Sequence, residues 1–475
     1  MPTSIGLAAE HDSDTQDFDP AARILKRLLR EFPGTVAFRC WDGITHTVGS
    51  AKPAFTIVVS EPGVLRKLVL NRSPLELADA YFRGLLDFEG DLYAALRLKH
   101  YFKTLQLSWR DRAGLVWDAL RLPKRLYAGG LADSTQRVER GGAFDRRHSK
   151  ETDRAAISFH YDVSNAFYRL FLDDQMVYSC AYFRSGSDTI HQAQSNKLDH
   201  ICRKLRLAPG ERLLDIGCGW GALVCWAARH YGVRAHGITL SQRQLEFARE
   251  RIAQLGLQDL VTVELRDYRD LEGVGVYDKV SSVGMFEHVG LANLQAYNAT
   301  VHRVLRPGGL FLNHGITHDE EGWNQTIDTK FINRYVFPDG ELDCVSNIQI
   351  RMERAGFEIH DVEALRPHYA LTLRHWVKRL EASREAAIAE VGETAYRIWR
   401  LYMAACALEF EDGGTGIYQI LASRRGSQAL AVPMTRDDIY ERAPGAHEPT
   451  ARSRGRVDDF GQPGSDLSGA RAPSR

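Results

Sequence analysis

The sequence predicts an α/β protein: a doubly wound, mostly parallel sheet preceded by a small α+β domain. Three observations lead there. From Glu151 onward, short apolar runs bounded by turn residues alternate with stretches of helical periodicity, the rhythm of buried strands laid between helices. A glycine-rich turn, Gly217-Cys218-Gly219-Trp220-Gly221, follows the first of those runs. A segment of linker composition, 128–150, with the pairs Gly129-Gly130 and Gly141-Gly142, separates this half from an earlier unit.

In chain order, residues 1–20 read as a disordered acidic leader; Glu10, Asp12, Asp14, Asp17 and Asp19 stand where a signal peptide would have a basic start and an apolar core. Residues 21–127 form the first unit, with helical spacing at Ile24, Leu25, Leu28 and Leu29, a strand over Phe55–Val59, and helices around Leu65–Leu70 and Leu75–Tyr81. Residues 151–426 form the larger domain. Its predicted strands are Arg212–Ile216, Ala235–Thr239, Val261–Leu265, Lys279–Val283 and Gly309–His314, with helices at Ala222–His230 and Gln242–Gln254. Residues 427–475, rich in Pro, Gly, Ser, Asp and Arg, read as a disordered tail.

Composition narrows the function classes. At 475 residues and 44% apolar, the chain exceeds one ordinary core. Basic and acidic residues number 61 each, so only local segregation can carry an electrostatic message. One stretch segregates: Arg97 to Arg147 holds 12 Lys/Arg against 5 Asp/Glu, interleaved with Tyr101, Phe102, Leu105, Leu107, Trp109, Leu115, Val116 and Trp117. Such a stretch suits an anionic membrane surface or a nucleic acid, or else a helical pair with one solvated basic face. Seven cysteines without CxxC spacing predict reduced thiols and no metal site. No uncharged apolar run reaches the roughly 18 residues of a membrane span, so a soluble or peripheral protein is expected.

Asp215-Ile216-Gly217-Cys218-Gly219-Trp220-Gly221 lies where a doubly wound sheet binds its nucleotide. An Asp just ahead of the glycines repels a pyrophosphate but accepts hydrogen bonds from an amine. That points to the methionine moiety of S-adenosylmethionine, with a dinucleotide site or a structural turn as alternatives. The second strand ends in Gly237-Ile238-Thr239-Leu240-Ser241, where many adenosylmethionine enzymes carry an acid for the ribose hydroxyls. Here Thr239 and Gln244 have to serve, with Ser241 as the helix cap. Arg266-Asp267-Tyr268 offers polar pairing for adenine and a ring to stack on it, unless Tyr268 is a plain core aromatic.

The words Phe159-His160-Tyr161-Asp162-Val163-Ser164-Asn165-Ala166-Phe167-Tyr168, Tyr178-Ser179-Cys180-Ala181-Tyr182-Phe183, Phe286-Glu287-His288 and Pro367-His368-Tyr369-Ala370 join the glycine turn and Gly237–Ser241 in matching order. Together they resemble the cyclopropane-fatty-acyl-phospholipid synthases and their mycolic acid relatives over about 155–425. The front domain looks, less tightly, like the one preceding the catalytic domain in the bacterial phospholipid enzymes. The resemblance implies a class I adenosylmethionine-dependent methyltransferase fold. Tyr178, Ser179, Gly217, Gly219, Thr239, Leu240, Gln244 and Tyr268 match positions that line the donor in the family; Asp215 and Asp267 join them on the reading above. It further implies a bicarbonate ion beside the donor methyl, held by the backbone at Cys180 and Cys406 and by the side chains of Glu287, His314 and Tyr369.

The implied chemistry needs such a group. An alkene can take the sulfonium methyl directly, leaving a carbocation; a base then removes a proton from the new methyl so that a ring closes. A covalent role for the Cys406 thiol is disfavoured, because a thioether would trap the cation. Cys218 is expected to pack behind the glycine turn and His288 to position Glu287, while Cys40, Cys202, Cys225 and Cys344 read as structural. Relatives generally show a glycine and a proline in the loop that here reads Phe337–Asp343, so Asp339 and Asp343 are expected to reshape it. Expected partners are an unsaturated phospholipid and an anionic membrane surface at the cytoplasmic side, with no nucleic acid and with a homodimer left open. A methylene- or methyl-branched product is the nearest alternative; a small-molecule O- or N-methyltransferase and a non-catalytic lipid-binding protein are the others.

Overall fold

The computed structural model describes residues 19–71, 74–124, 150, 164–322, 341–426 and 432–440. The leader up to Phe18, the linker 128–149, the start of the Phe159–Tyr168 word, loop residues Phe337–Gly340 and tail residues 427–431 and 441–475 lie outside them.

Helix α1 (Pro20–Leu29) begins where the Asp19 carboxylate accepts from the Ala21 and Ala22 amides. Strands β1 (Val36–Arg39), β2 (Thr45–Val48), β3 (Phe55–Val59) and β4 (Leu86–Gly90) pair in the order β2-β1-β3-β4. Along β3, Phe55, Ile57 and Val59 alternate into a core shared with Ile24, Leu25 and Leu29 of α1. Helices α2 (Pro62–Asn71) and α3 (Pro74–Phe82) cover the two predicted helical stretches, and α4 (Leu92–Thr104) and α5 (Trp109–Arg121) occupy the basic one.

Both acids of helix α5 are ion-paired. Asp118 is buried and ion-paired with Arg23 at 2.7 Å, and Asp111 pairs with Arg30 at 3.1 Å. The outward face carries Trp109, Val116, Trp117 and Leu120, the tryptophans 74% and 59% exposed. Arg110 lies over one indole ring and Arg121 over the other.

The larger part opens with α6 (Asn165–Phe171) and α7 (Ile190–Lys204). Then come β5 (Arg212–Ile216), α8 (Ala222–Tyr231), β6 (Arg234–Thr239), α9 (Gln242–Gln254) and β7 (Val261–Leu265). The chain continues through β8 (Tyr277–Val283), α10 (Leu294–Val304), β9 (Leu305–His318), α11 (Val345–Arg354) and β10 (Phe357–Ala364). It closes with α12 (Arg366–Ala382), α13 (Arg384–Asp412) and β11 (Thr415–Arg424). The seven strands lie in the order β10-β11-β9-β8-β5-β6-β7. All neighbouring pairs from β9 to β7 run parallel, while β11 runs antiparallel to both β9 and β10. After β7 the chain returns to the other side of β5, so β5 and β8 flank the switch point where such sheets bind ligands. Each predicted strand falls inside an observed one. Gly309–His314 is lengthened to Leu305–His318 because pairing with β11 continues as far as His318.

Helix α13 is kinked at Gly392 (φ +82°) and joins the two sheets' surroundings. Arg397, buried, donates to the Tyr81 carbonyl at 3.2 Å and to Asp87 at 2.9 Å, while Arg400 donates to the Tyr81 hydroxyl at 2.9 Å. Glu409 pairs with Lys99, and Glu411 with Arg97 at 2.7 Å. A separate short unit begins at Pro433; in it the Thr435 hydroxyl donates to Asp437 at 2.9 Å ahead of helix α14 (Asp437–Tyr440).

Candidate active site

The glycine turn after β5 is possible only because Gly217, Gly219 and Gly221 hold φ of +80°, +54° and +81°. The amides of Gly217 and Cys218 both donate to the Ile238 carbonyl at 2.9 Å, folding the turn back against β6. Beneath it Gly237 leaves room for Cys218: a Cβ there would meet its Sγ at 2.8 Å.

Above this turn lies a cavity at the carboxyl ends of β5, β6 and β8. Tyr178, Ser179, Asp215, Gly217, Gly219, Thr239, Leu240, Gln244, Asp267 and Tyr268 all line it. Asp215 is buried, and burial pushes its carboxyl up to about 6, partly offset by the hydrogen bond it accepts from Ser281 at 2.8 Å. At the β6 end the Thr239 hydroxyl donates to the Gln244 amide oxygen at 2.7 Å, and Ser241 caps α9 by accepting from the Gln244 amide at 3.3 Å. The pair is uncharged where an acid was the common alternative. Asp267 is clasped by Arg269, whose guanidinium approaches to 2.6 Å, so its carboxylate reaches the cavity already partnered. Tyr268 lines the cavity, and its ring packs edge-on against buried Tyr297 with centroids 5.4 Å apart.

The segment 177–183 is held from two sides. On one, Gln194 of α7 donates to the carbonyls of Val177 (3.3 Å) and Ser179 (2.9 Å), and Lys197 donates to the Ser179 hydroxyl at 2.8 Å. On the other, Thr372 and His368 of α12 accept from the amides of Ala181 and Phe183, each at 3.0 Å, while Tyr178 stacks on Trp376 with centroids 5.1 Å apart. Lys197 lines the cavity and was not anticipated; nor were Met285 and Arg269, which line it too.

The five residues of the predicted base site are not among those lining the cavity, yet they adjoin its wall. Cys180 follows Ser179 and is fully buried; burial raises its thiol, which lies 3.8 Å from the Leu365 carbonyl. Tyr369 packs on Phe410, one turn beyond Cys406, with centroids 4.6 Å apart. Cys180, Tyr369 and Cys406 border one apolar cluster that includes Tyr178 and Ile316. Glu287 sits in a single 3-10 turn, Phe286–His288, and its Oε1 accepts from the Ile316 amide at 2.7 Å. Burial pushes the Glu287 carboxyl up to about 7, against the pull of that hydrogen bond. His314 lies two residues before Ile316 on β9, on the same face. Burial holds its imidazole well below the usual range, and Nδ1 meets the Gln419 amide nitrogen at 3.1 Å. With that amide donating, the ring proton sits on Nε2. Among the described residues, Glu287 Oε2 and His314 Nε2 are both buried without a partner.

Asp343 accepts from the amides of Gly322 (3.1 Å) and Cys344 (2.9 Å) and so ties Gly322 to the start of α11. Among the described residues no cluster of three His, Cys, Asp or Glu could hold a metal ion, no helix is long and apolar enough to cross a membrane, and all seven cysteines are free.

A family model described as mycolic acid cyclopropane synthetase matches residues 148–420, and one described as a domain of unknown function (DUF7884) matches residues 24–102. The chain is 45% identical over 405 residues to a probable fatty acid methyltransferase of Pseudomonas putida, covering 85% of this chain and 95% of that one. It is 39% identical over 273 residues to the cyclopropane-fatty-acyl-phospholipid synthase of Escherichia coli (strain K12), covering 58% of this chain and 69% of that one. Among solved structures, a mycolic acid cyclopropane synthase complexed with SAH and CTAB matches with a TM-score of 0.54 and 34% identity, over 57% of this chain and 98% of that one.

Proposed function

Because the chain belongs to the mycolic acid cyclopropane synthetase family, and thus to the S-adenosylmethionine-dependent lipid methyltransferases, we propose that it methylates the double bond of an unsaturated acyl chain in a phospholipid and closes a cyclopropane ring. The alkene π electrons form the bond to the methyl carbon as the carbon–sulfur bond breaks, S-adenosylhomocysteine leaves, and a carbocation remains. Loss of a proton from the new methyl then lets its carbon bond to the cationic one.

The observation that carries this reading is the pair Glu287 and His314: two buried polar groups beside the donor cavity, each with an atom left unpartnered among the described residues. Such atoms are costly unless something fills the place. A small oxyanion bound between them would satisfy both, since His314 Nε2–H and the protonated form of Glu287 are both donors. Bicarbonate bound there would supply a base small enough to reach the methyl proton. The chain's part is positional. The Ile316 amide fixes Glu287, Gln419 fixes His314, and the aromatic cluster of Tyr168, Phe171, Tyr178, Trp376 and Trp399 keeps water from the cation.

The same reading has the enzyme act peripherally on the cytoplasmic side of a membrane, docked through the outward face of α5. Two exposed tryptophans and two apolar side chains between Arg110, Arg112, Arg121 and Lys124, with the helix's two acids already ion-paired, match an anionic lipid surface. A second product, a methylene or methyl branch, shares the donor and the first step; the Pseudomonas putida relative is named a probable fatty acid methyltransferase, without mention of a ring.

Expression in a host without cyclopropane lipids tests the reading. Upfield ring protons and a gain of one CH₂ in its phospholipids are expected, whereas a vinylidene or branched methyl would refute ring closure. Donor turnover with neither unsaturated nor saturated vesicles would remove the lipid reading altogether.

A further inference from the structure

Resting on the donor reading above, we infer that Lys197 anchors the carboxylate of the donor's methionine moiety, working as a pair with Asp215, which takes the amine.

Lys197 lies on the buried stripe of α7, with Ala193, Leu198 and Ile201, and is only 2% exposed. That is an expensive place for an ammonium group. Its Nζ donates to the Ser179 hydroxyl at 2.8 Å, and among the described residues no carboxylate lies within 4 Å of it. Asp173 feels its charge, but the Asp173 oxygens are committed to the amides of Val177 (2.8 Å) and Gln175 (3.1 Å). The arginines of the cavity differ: Arg269 is clasped by Asp267, and Arg266 pairs with Glu264 at 3.0 Å. Lys197 is thus the cavity's basic chain-end left with N–H donors and no anion within ion-pair distance among the described residues.

Asp215 is in the mirror situation. It lines the same cavity, is 3% exposed, and has a hydroxyl rather than a cation as its hydrogen-bond donor. Burial draws the ammonium down to about 8 and pushes the carboxyl up to about 6, each shift partly offset by the other's charge. Two buried, opposite charges that face one cavity without touching are satisfied together by a ligand carrying both signs. The amino acid end of the donor is such a zwitterion. Ser179, which accepts from Lys197 and lines the cavity, holds the ammonium toward that end.

The test uses two ligands and the full-length chain. S-adenosylhomocysteine carries the carboxylate; S-adenosyl-3-thiopropylamine lacks it but keeps the amine. Calorimetric titration of the wild type should show S-adenosylhomocysteine preferred by about ten- to hundredfold, the worth of one charge-assisted contact. Lys197→Met should lose that preference by weakening the first ligand while leaving the second within about threefold. Equal wild-type affinities for the two ligands would overturn the assignment, and this arm needs no variant to fold. A Lys197→Met chain that weakens both ligands alike, or neither, would overturn it as well. Failure of the wild type to bind S-adenosylhomocysteine at all would instead remove the donor reading on which the assignment rests.

Discussion

Replacing Glu287 with Gln should make the protein more stable and nearly inactive, and the stability gain should depend on pH in a set direction. Burial raises the carboxyl from an ordinary value of 4.5 to about 7. Between those values the unfolded chain has released its proton while the folded chain keeps it, so each pH unit takes about 1.4 kcal/mol from the folded state. The Glu287 contribution to stability therefore declines from pH 4.5 upward and levels off above 7, after a loss of about 3 kcal/mol over the interval. Glu287→Gln has no such proton, and its amide oxygen can still accept from Ile316. The variant should nearly match the wild type at pH 5 and exceed it at pH 8 by up to about 3 kcal/mol, or about 3 °C in melting temperature for a chain of this length. Turnover should fall at least about 10²-fold with affinity for S-adenosylhomocysteine unchanged, because the amide still donates to an oxyanion but cannot take up or return a proton as the carboxyl does. Melting curves at the two pH values, titration with that ligand, and transfer of labelled methyl into lipid read these quantities. A gain equal at both pH values, no gain at pH 8, or a wild-type rate would refute the argument.

Two further substitutions probe neighbouring features. In Gly315→Ala the new Cβ would lie 2.1 Å from a Phe286 ring carbon, so a buried ring must move by more than an ångström; we expect a loss of about 1–3 kcal/mol and a larger fall in turnover than in donor affinity. An unchanged melting temperature would show that the turn carrying Glu287 has slack. Trp109→Ser combined with Trp117→Ser should weaken binding to anionic vesicles while sparing turnover on detergent-dispersed lipid, and Arg121→Glu with Lys124→Glu should do so most at low salt. Vesicle sedimentation decides, and unaltered binding would return α5 to a merely solvated helix.

The parallel half of the large sheet was legible because strands buried on both faces are written as unbroken apolar runs, and Val261–Leu265 and Gln242–Gln254 appear at their predicted bounds. Strand β10 was not legible: Phe-Glu-Ile-His-Asp-Val-Glu-Ala is an edge strand, half polar and half exposed, and its place is set by pairing with β11. The donor residues could be read from one turn and two strand ends. Lys197 could not, because a lysine in a helix is usually solvated. The available signal was its spacing, four residues after Ala193 and four before Ile201, on the apolar stripe. The turn bearing Glu287 and the strand bearing His314 are brought side by side only because β8 and β9 are neighbours, a relation of topology that no local window contains.

Helix α13 makes the two halves of the chain unequal as evolutionary modules. Family relatives solved as single chains correspond to 57% of this protein, so the catalytic part exists elsewhere by itself. Here, removal of the front domain would expose Arg397 and Arg400 after taking away Asp87 and the Tyr81 hydroxyl, their anchors there. A segment that can be inherited separately has therefore become, through a few guanidinium contacts on the helix that bears Cys406, a part that cannot be cut away without cost.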